Sequence, residues 1–397
     1  MTESTATAPI SRDLVARIGA SGPEEVLEAR LAAFDAFESM PFPTESSVGW
    51  RRTDLAGIDL KPAPPAESVC DIGLPESAKA AGAIASSLED AIRKTSLPVV
   101  STVRTGLSFR KFSALAQSAW QGGGYLHVPA GADIADPIQI SWKGGPYPRL
   151  VVVIGKNARA TVVEQHDQSA KYLSGRVDLI LEDGARLNYI HVQDCARESV
   201  IFSHQRAEIG RDAKLVTLNF GLGGRLARTD VEVELQGSGA ESDMLGLVFA
   251  EGEQQFDYHT LQGHRAPNTR SDLLFKSALD DRSHSAYTGV IIIDRGAQRS
   301  DAYQANRNLL LSEGARADTE PMLEIEADDV RCTHGATVGP VDEEQLFYAE
   351  SRGLEPDVAA RMIVEGFFGE VFEKFGQPSV TKLLQGKVAP HVARVGA

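Results

Sequence analysis

Residues 328–339, with the sequence DDVRCTHGATVG, separate two kinds of sequence pattern in this chain. Before them, from about residue 120, short β-type runs alternate with turns rich in Gly and Asp, and after them the pattern is typical of amphipathic helix. The stretch contains Cys332 and His334, the only Cys-x-His pair in the sequence. Because side chains alternate across an extended strand, residues two apart share one face. The sequence therefore predicts that a thiol and an imidazole project together near the end of a β-body.

The region upstream of this stretch repeats a short-strand pattern. Its predicted strands lie at residues 125–128, 138–142, 149–154, 160–165, 177–181, 187–192, 215–220, 231–235, 244–249, 289–293 and 323–325. Glycine turns followed by alanine recur with a nearly constant spacing, at Gly155, Gly184, Gly210 and Gly239. A repeat of that length with two or three strands fits one coil of a solenoid, which buries its faces by stacking on its neighbours. The sequence favours a mainly β solenoid, with a large β-sandwich as the alternative.

Helical patterns flank the β-region on both sides. Helices are predicted at residues 23 to about 39, about 79–93 and about 108–120, then from residue 342 to 353 and from 356 onward. Residues 1–20 are predicted to be a loose lead-in and 44–80 a proline-rich irregular connection. The patterns predict a helical N-terminal region with an irregular connection over 1–120, a β-helix core over 121–339 and a C-terminal helical domain over 340–397.

The C-terminal helices are rich in aromatic side chains. Asp342 and Gln345 have the spacing of an N-terminal capping box. The candidate partner-binding side chains are Phe347, Tyr348, Met362, Phe367, Phe368 and Phe372. Apolar helix faces of this kind are typical of docking surfaces for another protein. The alternative is that they pack against the end of the β-body, and a shared end cap would allow both.

The composition narrows the class of protein. With 40 basic and 55 acidic side chains, the net charge of −15 argues against a protein that binds duplex nucleic acid, which needs a basic surface. No apolar run approaches the roughly 18–20 residues of a membrane span, and the N-terminus carries no signal-peptide pattern. The three cysteines are far apart and predict no disulfide framework. We therefore expect a cytoplasmic protein that binds neither nucleic acid nor a membrane.

Cys332 and His334 are the foremost candidates for chemistry. Thiolate and imidazole suit iron, zinc or an iron–sulfur cluster, but two donors do not complete a site, so the remaining ligands would have to come from another chain. The alternative is a structural cysteine and a hydrogen-bonded histidine at a strand end. Other histidines spread along the β-region are further candidates, namely His166, His191, His204, His259, His264 and His284. Of these, His166 and His191 would approach each other if they occupy neighbouring coils. The alternative for these histidines is a set of satisfied surface residues.

Signatures of common enzyme classes are missing from the sequence. It contains no Gly-x-Ser-x-Gly nucleophile elbow and no phosphate-binding Gly-x-x-x-x-Gly-Lys-Ser/Thr loop. The carboxylates that could pair as in a β-helical carbohydrate-active enzyme are Glu320, Glu324, Glu326, Asp328 and Asp329. A solvated strand face is the alternative interpretation of that cluster.

Several blocks carry a resemblance to a known family. They are residues 327–339 (ADDVRCTHGATVG), 342–348 (DEEQLFY), 351–353 (SRG), 306–312 (NRNLLLS), 321–325 (PMLEI) and 128–131 (VPAG), with a weaker match at 50–53 (WRRT). These blocks resemble the SufD family, which belongs to the SufB/SufD superfamily of the SUF iron–sulfur cluster assembly system. The resemblance covers most of the chain and is weakest in the N-terminal third.

The resemblance implies a fold and a set of partners. The fold is a right-handed parallel β-helix between helical N- and C-terminal parts. The partners are a SufB-like paralogue in a heterodimer and SufC-like ABC-type ATPases, which dock through the C-terminal helices. The resemblance also implies that the chain can form a homodimer when these partners are absent.

The resemblance also implies roles for individual residues. Cys332 and His334 match the family's functional cysteine and histidine, at the paralogue interface, where they would assist nascent cluster formation or iron entry. Gly335 stands where the SufB branch usually has Glu, which favours a SufD-like role. We therefore expect a non-enzymatic scaffold that binds no cofactor stably alone, with a transient iron–sulfur cluster at the heterodimer interface. A SufB-like scaffold that holds the cluster directly is the alternative.

Overall fold

The centre of the molecule is a parallel β-solenoid. The structure is a computed structural model that describes residues 10–47, 49–94 and 110–395. About seven turns lie between residues 124 and 340, and each complete coil adds one strand to each of two sheets. In sheet A, for example, Arg186 pairs with Lys214, and Lys214 pairs in turn with Glu241 on the next coil. The predicted β-solenoid is confirmed, and the β-sandwich alternative is wrong because successive coils pair in parallel with a nearly regular offset.

The described helices and strands follow the predicted order of helical, β and helical parts. The N-terminal elements are α1 (Arg12–Gly19), α2 (Glu24–Ser39), β1 (Ser68–Gly73), α3 (Glu76–Ala80), β2 (Ile84–Ser87), α4 (Leu88–Lys94) and α5 (Arg110–Ala119). The next strands are β3 (Gly124–Val128), β4 (Ile138–Gly144), β5 (Arg149–Ile154), β6 (Arg159–His166), β7 (Tyr172–Leu181), β8 (Arg186–Gln193), β9 (Val200–Ile209) and β10 (Lys214–Gly221). The solenoid continues with β11 (Leu226–Leu235), β12 (Glu241–Ala250), β13 (Gln255–His264), β14 (Arg270–Leu279), β15 (His284–Ile293), β16 (Asp301–Leu310), β17 (Arg316–Ile325) and β18 (Arg331–Pro340). The C-terminal helices are α6 (Glu343–Ser351), α7 (Pro356–Phe375) and α8 (Pro378–Val392).

Two sheets of nine described strands form the walls of the solenoid. Sheet A has the order β1-β4-β6-β8-β10-β12-β14-β16-β18, and sheet B has the order β17-β15-β13-β11-β9-β7-β5-β3-β2. Strands β1 and β2 pair antiparallel with β4 and β3, so they close the N-terminal end of the two sheets. At the other end, β17 and β18 have a neighbour on only one side among the described strands. The solenoid therefore ends in two open strand edges.

Stacked apolar side chains fill the space between the sheets. Val152 pairs with Leu179 in sheet B, Leu187 pairs with Leu215 in sheet A, and all four side chains are buried. Burial of one such side chain contributes about 1.5–3 kcal/mol, and the coil repeat places like side chains above one another. At the corners, Gly184 has φ +71°, and a Cβ there would collide with the side chain of an asparagine on the preceding coil. The glycine repeat in the sequence thus reflects tight corners between stacked coils.

The N-terminal elements cover the outer face of sheet B. Helix α5 lies against β7 and β9, where the rings of Phe112 and Phe202 stack with their centroids 3.8 Å apart. The guanidinium of Arg30 on α2 donates to the backbone oxygen of Trp120 at 2.7 Å, which fastens α2 to the end of α5. This region differs from the prediction in three places. Strand β1 and helix α3 lie within the predicted irregular connection over 44–80. Helix α1 lies within the predicted loose lead-in, and the single helix predicted at 79–93 is divided by the strand β2, while part of the helix predicted at 108–120 lies outside the described residues.

The C-terminal helices lie on the flank of the solenoid, not over its end. Val364, Phe368 and Val371 of α7 pack on the outer face of sheet A together with Leu218 and Leu245. Lys276 of β14 donates to the backbone oxygen of Phe367 at 2.8 Å. The prediction that these helices pack against the end of the β-body is therefore wrong. The physical reason is that both faces of the sheet A strands are apolar, so the outer face needs a cover and the end of the solenoid stays open.

Candidate functional site at the open end of the solenoid

Cys332 and His334 lie on the last strand of sheet A. Strand β18 pairs with β16 so that Cys332 lies beside Ala302 and His334 beside Gln304. One coil further in, Gln304 lies beside Leu273, which belongs to the interior core. Both side chains therefore lie on the inner face of the terminal coil, as the strand alternation predicts, at the end that no described element covers.

The two side chains differ in their surroundings. Cys332 is half-buried against a small apolar cluster that includes Ile291 and Ile293, whereas His334 is exposed. Burial raises the pKa of the Cys332 thiol, and the carboxylate of Asp301 raises it further. The thiolate is the form that binds metals and attacks electrophiles. In the isolated chain Cys332 is therefore held as a thiol until a metal or a positive group stabilises its ionised form.

The interior of the terminal coils is partly polar, which the sequence analysis does not predict. Gln304 and Asn308 project from β16 and Thr319 from β17, and one side-chain oxygen of each is buried without a hydrogen-bond partner in the described part of the chain. The Gln304 amide donates to the Gly289 carbonyl at 3.3 Å. The alternation of polar residues at 304, 306 and 308 is the signal that could have revealed this lining. Polar acceptors thus line the inside of the solenoid behind His334.

The acidic cluster does not form a convergent site. Glu320 is engaged by Arg52 at 3.2 Å, and Asp329 lies 3.8 Å from Arg299. Glu324, Glu326 and Asp328 are exposed. Among the described residues, none of the five belongs to a group of three or more potential ligands within 4.8 Å of one another. The solvated strand face is therefore the better description of these carboxylates.

Six histidines of the β-region are buried, so the expectation that these six lie on the surface is wrong. Buried side chains include His166, His191, His204, His259, His264 and His284. Examples of satisfied ones are His284, whose imidazole lies 2.8 Å from Asp318, and His264, which contacts Thr269 at 2.7 Å and Ser271 at 2.8 Å. The predicted approach of His166 and His191 is present, with ring centroids 5.1 Å apart.

Comparison with known proteins identifies the family. Residues 139–367 match the family described as SUF system FeS cluster assembly, SufBD core domain. The match covers more than half of the 397 residues and includes Cys332, His334 and most of α7. The chain belongs to the SufBD family. The resemblance predicted from the sequence blocks is confirmed, and SufBD proteins are scaffold components of iron–sulfur cluster assembly that are generally non-catalytic.

Individual relatives agree with this SufBD assignment. An iron–sulfur cluster assembly SufBD family protein of Mycobacterium leprae is 35% identical over 292 residues, which cover 70% of this chain and 74% of the relative. A SufBD family protein of Synechocystis is 27% identical over 295 residues, covering 70% of this chain and 64% of the relative. The iron–sulfur cluster assembly protein SufD of Escherichia coli is 31% identical over 223 residues, covering 55% of this chain and 53% of that protein. These names favour a role in cluster assembly over the carbohydrate-active alternative.

The candidate partner-binding side chains on this SufBD chain's C-terminal helices divide into two groups. Phe347, Tyr348 and Met362 are 72%, 62% and 54% exposed, and α6 has no buried residue. Phe367 is half-buried, and Phe368 and Phe372 are buried in the contact with sheet A. The last two therefore hold α7 on the solenoid and are not part of a free surface. Docking through the exposed residues remains a prediction.

The remaining sequence predictions near these helices have mixed outcomes. Asp342 accepts hydrogen bonds from the backbone amides of Glu344 at 2.8 Å and Gln345 at 3.3 Å, which confirms the predicted N-cap. The Gln345 amide donates at 3.4 Å to the Asp342 carboxylate and not back to its backbone, so the reciprocal capping-box bond is not made.

Within the described residues, no helix has both the length and the apolar composition to cross a bilayer.

Proposed function

We propose that this SufBD chain is a SufD-like scaffold subunit that pairs with a SufB-like paralogue through the open end of its solenoid. The supporting observation is the terminal coil itself. Its outermost strands β17 and β18 each have an unpaired edge among the described strands, and Ile325 and Val338 are 41% and 44% exposed on them. Unpaired strand edges with apolar side chains are templates for pairing with another chain. Cys332 and His334 lie inside that same coil.

The nascent iron–sulfur cluster is then cargo assembled at the junction of two subunits. This chain supplies one thiol and one imidazole at its open end, and these are two donors of the kinds that iron accepts. An iron–sulfur cluster held by protein usually has four ligands, so the partner would supply the others. On this proposal the chain binds no cluster stably by itself, and the exposed His334 assists cluster formation or iron entry.

The C-terminal helices would dock the SufC-like ABC-type ATPases. Helix α6 presents Phe347 and Tyr348 to solvent and buries no residue of its own, so its apolar side chains are free to enter a groove on a partner. Helix α7 is fixed to the flank of sheet A through Lys276 and the buried Phe368. Movement of a docked ATPase would therefore act on the solenoid wall that carries β18.

Replacement of His334 tests the role of the terminal coil. We expect His334→Ala to abolish cluster assembly by the reconstituted complex, because it removes a ligand-type side chain at an exposed position without disturbing the core. Thr333→Ala is the matched control, since Thr333 lies next to it on the opposite face of β18. Assembly would be measured by cluster absorbance and transfer to an apo-ferredoxin, and complex formation by size-exclusion chromatography.

Two outcomes would contradict the proposal. Full assembly by His334→Ala would remove the role of this side chain. A stable cluster on the isolated chain after anaerobic reconstitution would favour the alternative of a direct, SufB-like cluster holder. The second result does not depend on the ATPase, because it is measured on the isolated chain.

A further inference from the structure

A second group of metal-type ligands lies deep inside the solenoid, far from Cys332 and His334. Glu164 and His166 project from the same face of β6, and His191 of β8 pairs directly with Glu164 in the strand register. One ligand atom from each side chain lies within 4.8 Å of the other two, and all three side chains are buried. Five strand steps in sheet A separate β8 from β18, which at about 4.8 Å per step gives about 24 Å.

The donor set has a definite chemical preference. One carboxylate and two imidazoles suit divalent first-row transition ions such as Fe²⁺, Co²⁺ and Zn²⁺. Ca²⁺ and Mg²⁺ prefer oxygen ligands alone and would gain little from two imidazoles. The site is therefore of the transition-metal type.

His191 gives independent support for a ligand at this place. Its side chain is 4% exposed, and it makes no hydrogen bond to any residue in the described ranges. Burial lowers the pKa of His191 to about 4, and the neighbouring His166 lowers it further than Glu164 raises it. The ring nitrogens of His191 are not taken up by hydrogen bonds to the described residues, and the side chain borders a cavity between the three groups.

Space for one ion exists next to this imidazole. A cavity of about 20 Å³ is lined by residues that include Glu164, His166, His191 and Gln193. That volume holds roughly one water-sized particle. Arg176 also borders the cavity, but two of its guanidinium nitrogens donate to Asp178 at 3.0 and 3.1 Å, so the guanidinium is held toward that carboxylate.

The surroundings hold the carboxylate in a fixed orientation. The Trp142 indole donates to one Glu164 oxygen at 2.6 Å, and the Tyr189 hydroxyl donates to the other. The Trp142 ring also lies against His166, with an interplanar angle of 15° and centroids 5.9 Å apart. Outer-shell hydrogen bonds of this kind fix the orientation of metal ligands in proteins. The third contact to Glu164 is with His166 at 3.0 Å, so the carboxylate and this imidazole already lie side by side.

We propose that Glu164, His166 and His191 bind one divalent first-row transition-metal ion inside the solenoid, at a site separate from Cys332 and His334. The inference does not depend on the proposed scaffold function. It predicts that the isolated chain binds the metal ion. Cluster binding at the terminal coil, in contrast, is expected to require a partner subunit.

The test uses Co²⁺ as the probe with the tag-free full chain. We expect one Co²⁺ per chain, seen as visible absorption bands in a titration and as one equivalent by elemental analysis after desalting. His191→Gln should weaken Co²⁺ binding by at least about tenfold. Loss of an outer-shell partner alone typically weakens metal binding by about tenfold or more, so loss of a ligand should cost no less. His264→Gln is the matched control, because His264 is also buried but its two ring nitrogens contact Thr269 and Ser271. His334→Ala should bind Co²⁺ as the wild type does.

Two results would overturn the proposal, namely no Co²⁺ bound by the wild type, or equal binding by the wild type and a folded His191→Gln. If His191→Gln does not fold, the position of Co²⁺ in the wild-type chain provides the test. Anomalous diffraction at the cobalt edge should then show a peak between Glu164, His166 and His191. A peak only at Cys332 and His334 would contradict the inference while leaving the proposed scaffold function intact.

Discussion

At the scale of single residues, the reactivity of Cys332 is set by its neighbours. The thiol is half-buried, and both burial and the Asp301 carboxylate raise its pKa. A raised thiol pKa means that the neutral form dominates at neutral pH and that the thiolate appears only as the pH rises. The cysteine is thereby protected from unspecific oxidation while it remains near the open end.

Removal of the Asp301 charge should make Cys332 more reactive. In Asp301→Asn the pKa of the thiol falls, so its alkylation by iodoacetamide at pH 7.5 should be several-fold faster, and the pH–rate curve should move to lower pH. Mass spectrometry of the peptide that contains Cys332 separates it from Cys70 and Cys195. Asp328→Asn is the control, since Asp328 is exposed and does not act on the thiol. An unchanged pH–rate curve for Asp301→Asn would contradict this account.

A buried charge group joins the N-terminal strands of sheet B. Asp178 contacts Arg149 and also Arg176, the latter at 3.0 Å, and all three are buried. Although burial disfavours the charged carboxylate, the two guanidinium groups hold the pKa of Asp178 below its usual value. A depressed folded-state pKa contributes stability above the unfolded value of about 3.9, and this stability is lost as the pH falls.

Neutralisation of Asp178 should therefore destabilise the solenoid strongly. Asp178→Asn leaves buried guanidinium charge uncompensated, which costs about 3–5 kcal/mol. Asp183→Asn is the control, because Asp183 pairs with Arg211 at 3.0 Å on the surface and such pairs contribute about 0–1 kcal/mol. The free energies of unfolding would be compared by urea titration at pH 7. A loss of equal size in both variants would show that burial does not decide the effect.

At the scale of elements, α6 and α7 perform different tasks although both are aromatic. Helix α7 buries Val364, Phe368 and Val371 against sheet A, whereas α6 buries none of its residues. A helix with no buried face gains little from the fold of its own chain. Its exposed aromatic side chains are therefore better explained by contact with a partner.

Changing the exposed face of α6 should separate docking from stability. We expect Phe347→Ser with Tyr348→Ser to leave the melting temperature of the isolated chain within about 1 °C, since surface substitutions rarely exceed ±0.5 kcal/mol. The same change should abolish co-purification of the ABC-type ATPase. Phe368→Ser is the contrasting variant, because it removes a buried ring and should lower the melting temperature. Retention of the ATPase by the double variant would contradict docking through α6.

The strands that the sequence predicts have apolar residues in a continuous run or in regular alternation. Strand β5 (Arg149–Ile154) has the sequence RLVVVI and is predicted correctly. Strand β9 (Val200–Ile209) is not predicted, because Ser203, His204, Gln205 and Arg206 interrupt its apolar pattern. All four are nevertheless buried. Helix α5 covers the outer face of β9, and the side chains on the inner face of β9 lie in the partly polar interior of the solenoid. For example, His204 contacts Ser113 at 2.6 Å, a contact that no local pattern contains.

At the scale of the whole molecule, the coil register decides which parts of a site the sequence can predict. Cys332 and His334 are two positions apart on one strand, so simple alternation places them together. Glu164 and His191 meet only because one full coil of the chain returns β8 to the side of β6 in that register. The spacing of the glycine turns varies slightly from coil to coil, so it predicts the approximate length of such a step but not its exact value. Simple alternation also places Glu164 beside His166 on β6. What the sequence does not predict is the register that sets His191 directly opposite Glu164.

The solenoid should also lose its structure from the open end. Each coil contacts mainly its two neighbours, so stability in such proteins is close to a sum of nearest-neighbour contacts. Strands β10 and β12 have partners on both sides, whereas β17 and β18 have one each among the described strands. The terminal coil therefore has the fewest interactions to break when it opens.

Hydrogen–deuterium exchange can measure this gradient directly. In the isolated chain at low concentration, amides of β17 and β18 should exchange at least about 100-fold faster than those of β10 and β12, which corresponds to a difference of about 2.7 kcal/mol in opening free energy. A SufB-like paralogue should slow exchange in β17 and β18 selectively, because it would supply the missing neighbour. The ATPase alone serves as the control and should protect α6 instead. Equal protection of terminal and central coils in the isolated chain would mean that the end of the solenoid is stable without a partner, and the physical argument for pairing at this end would fail.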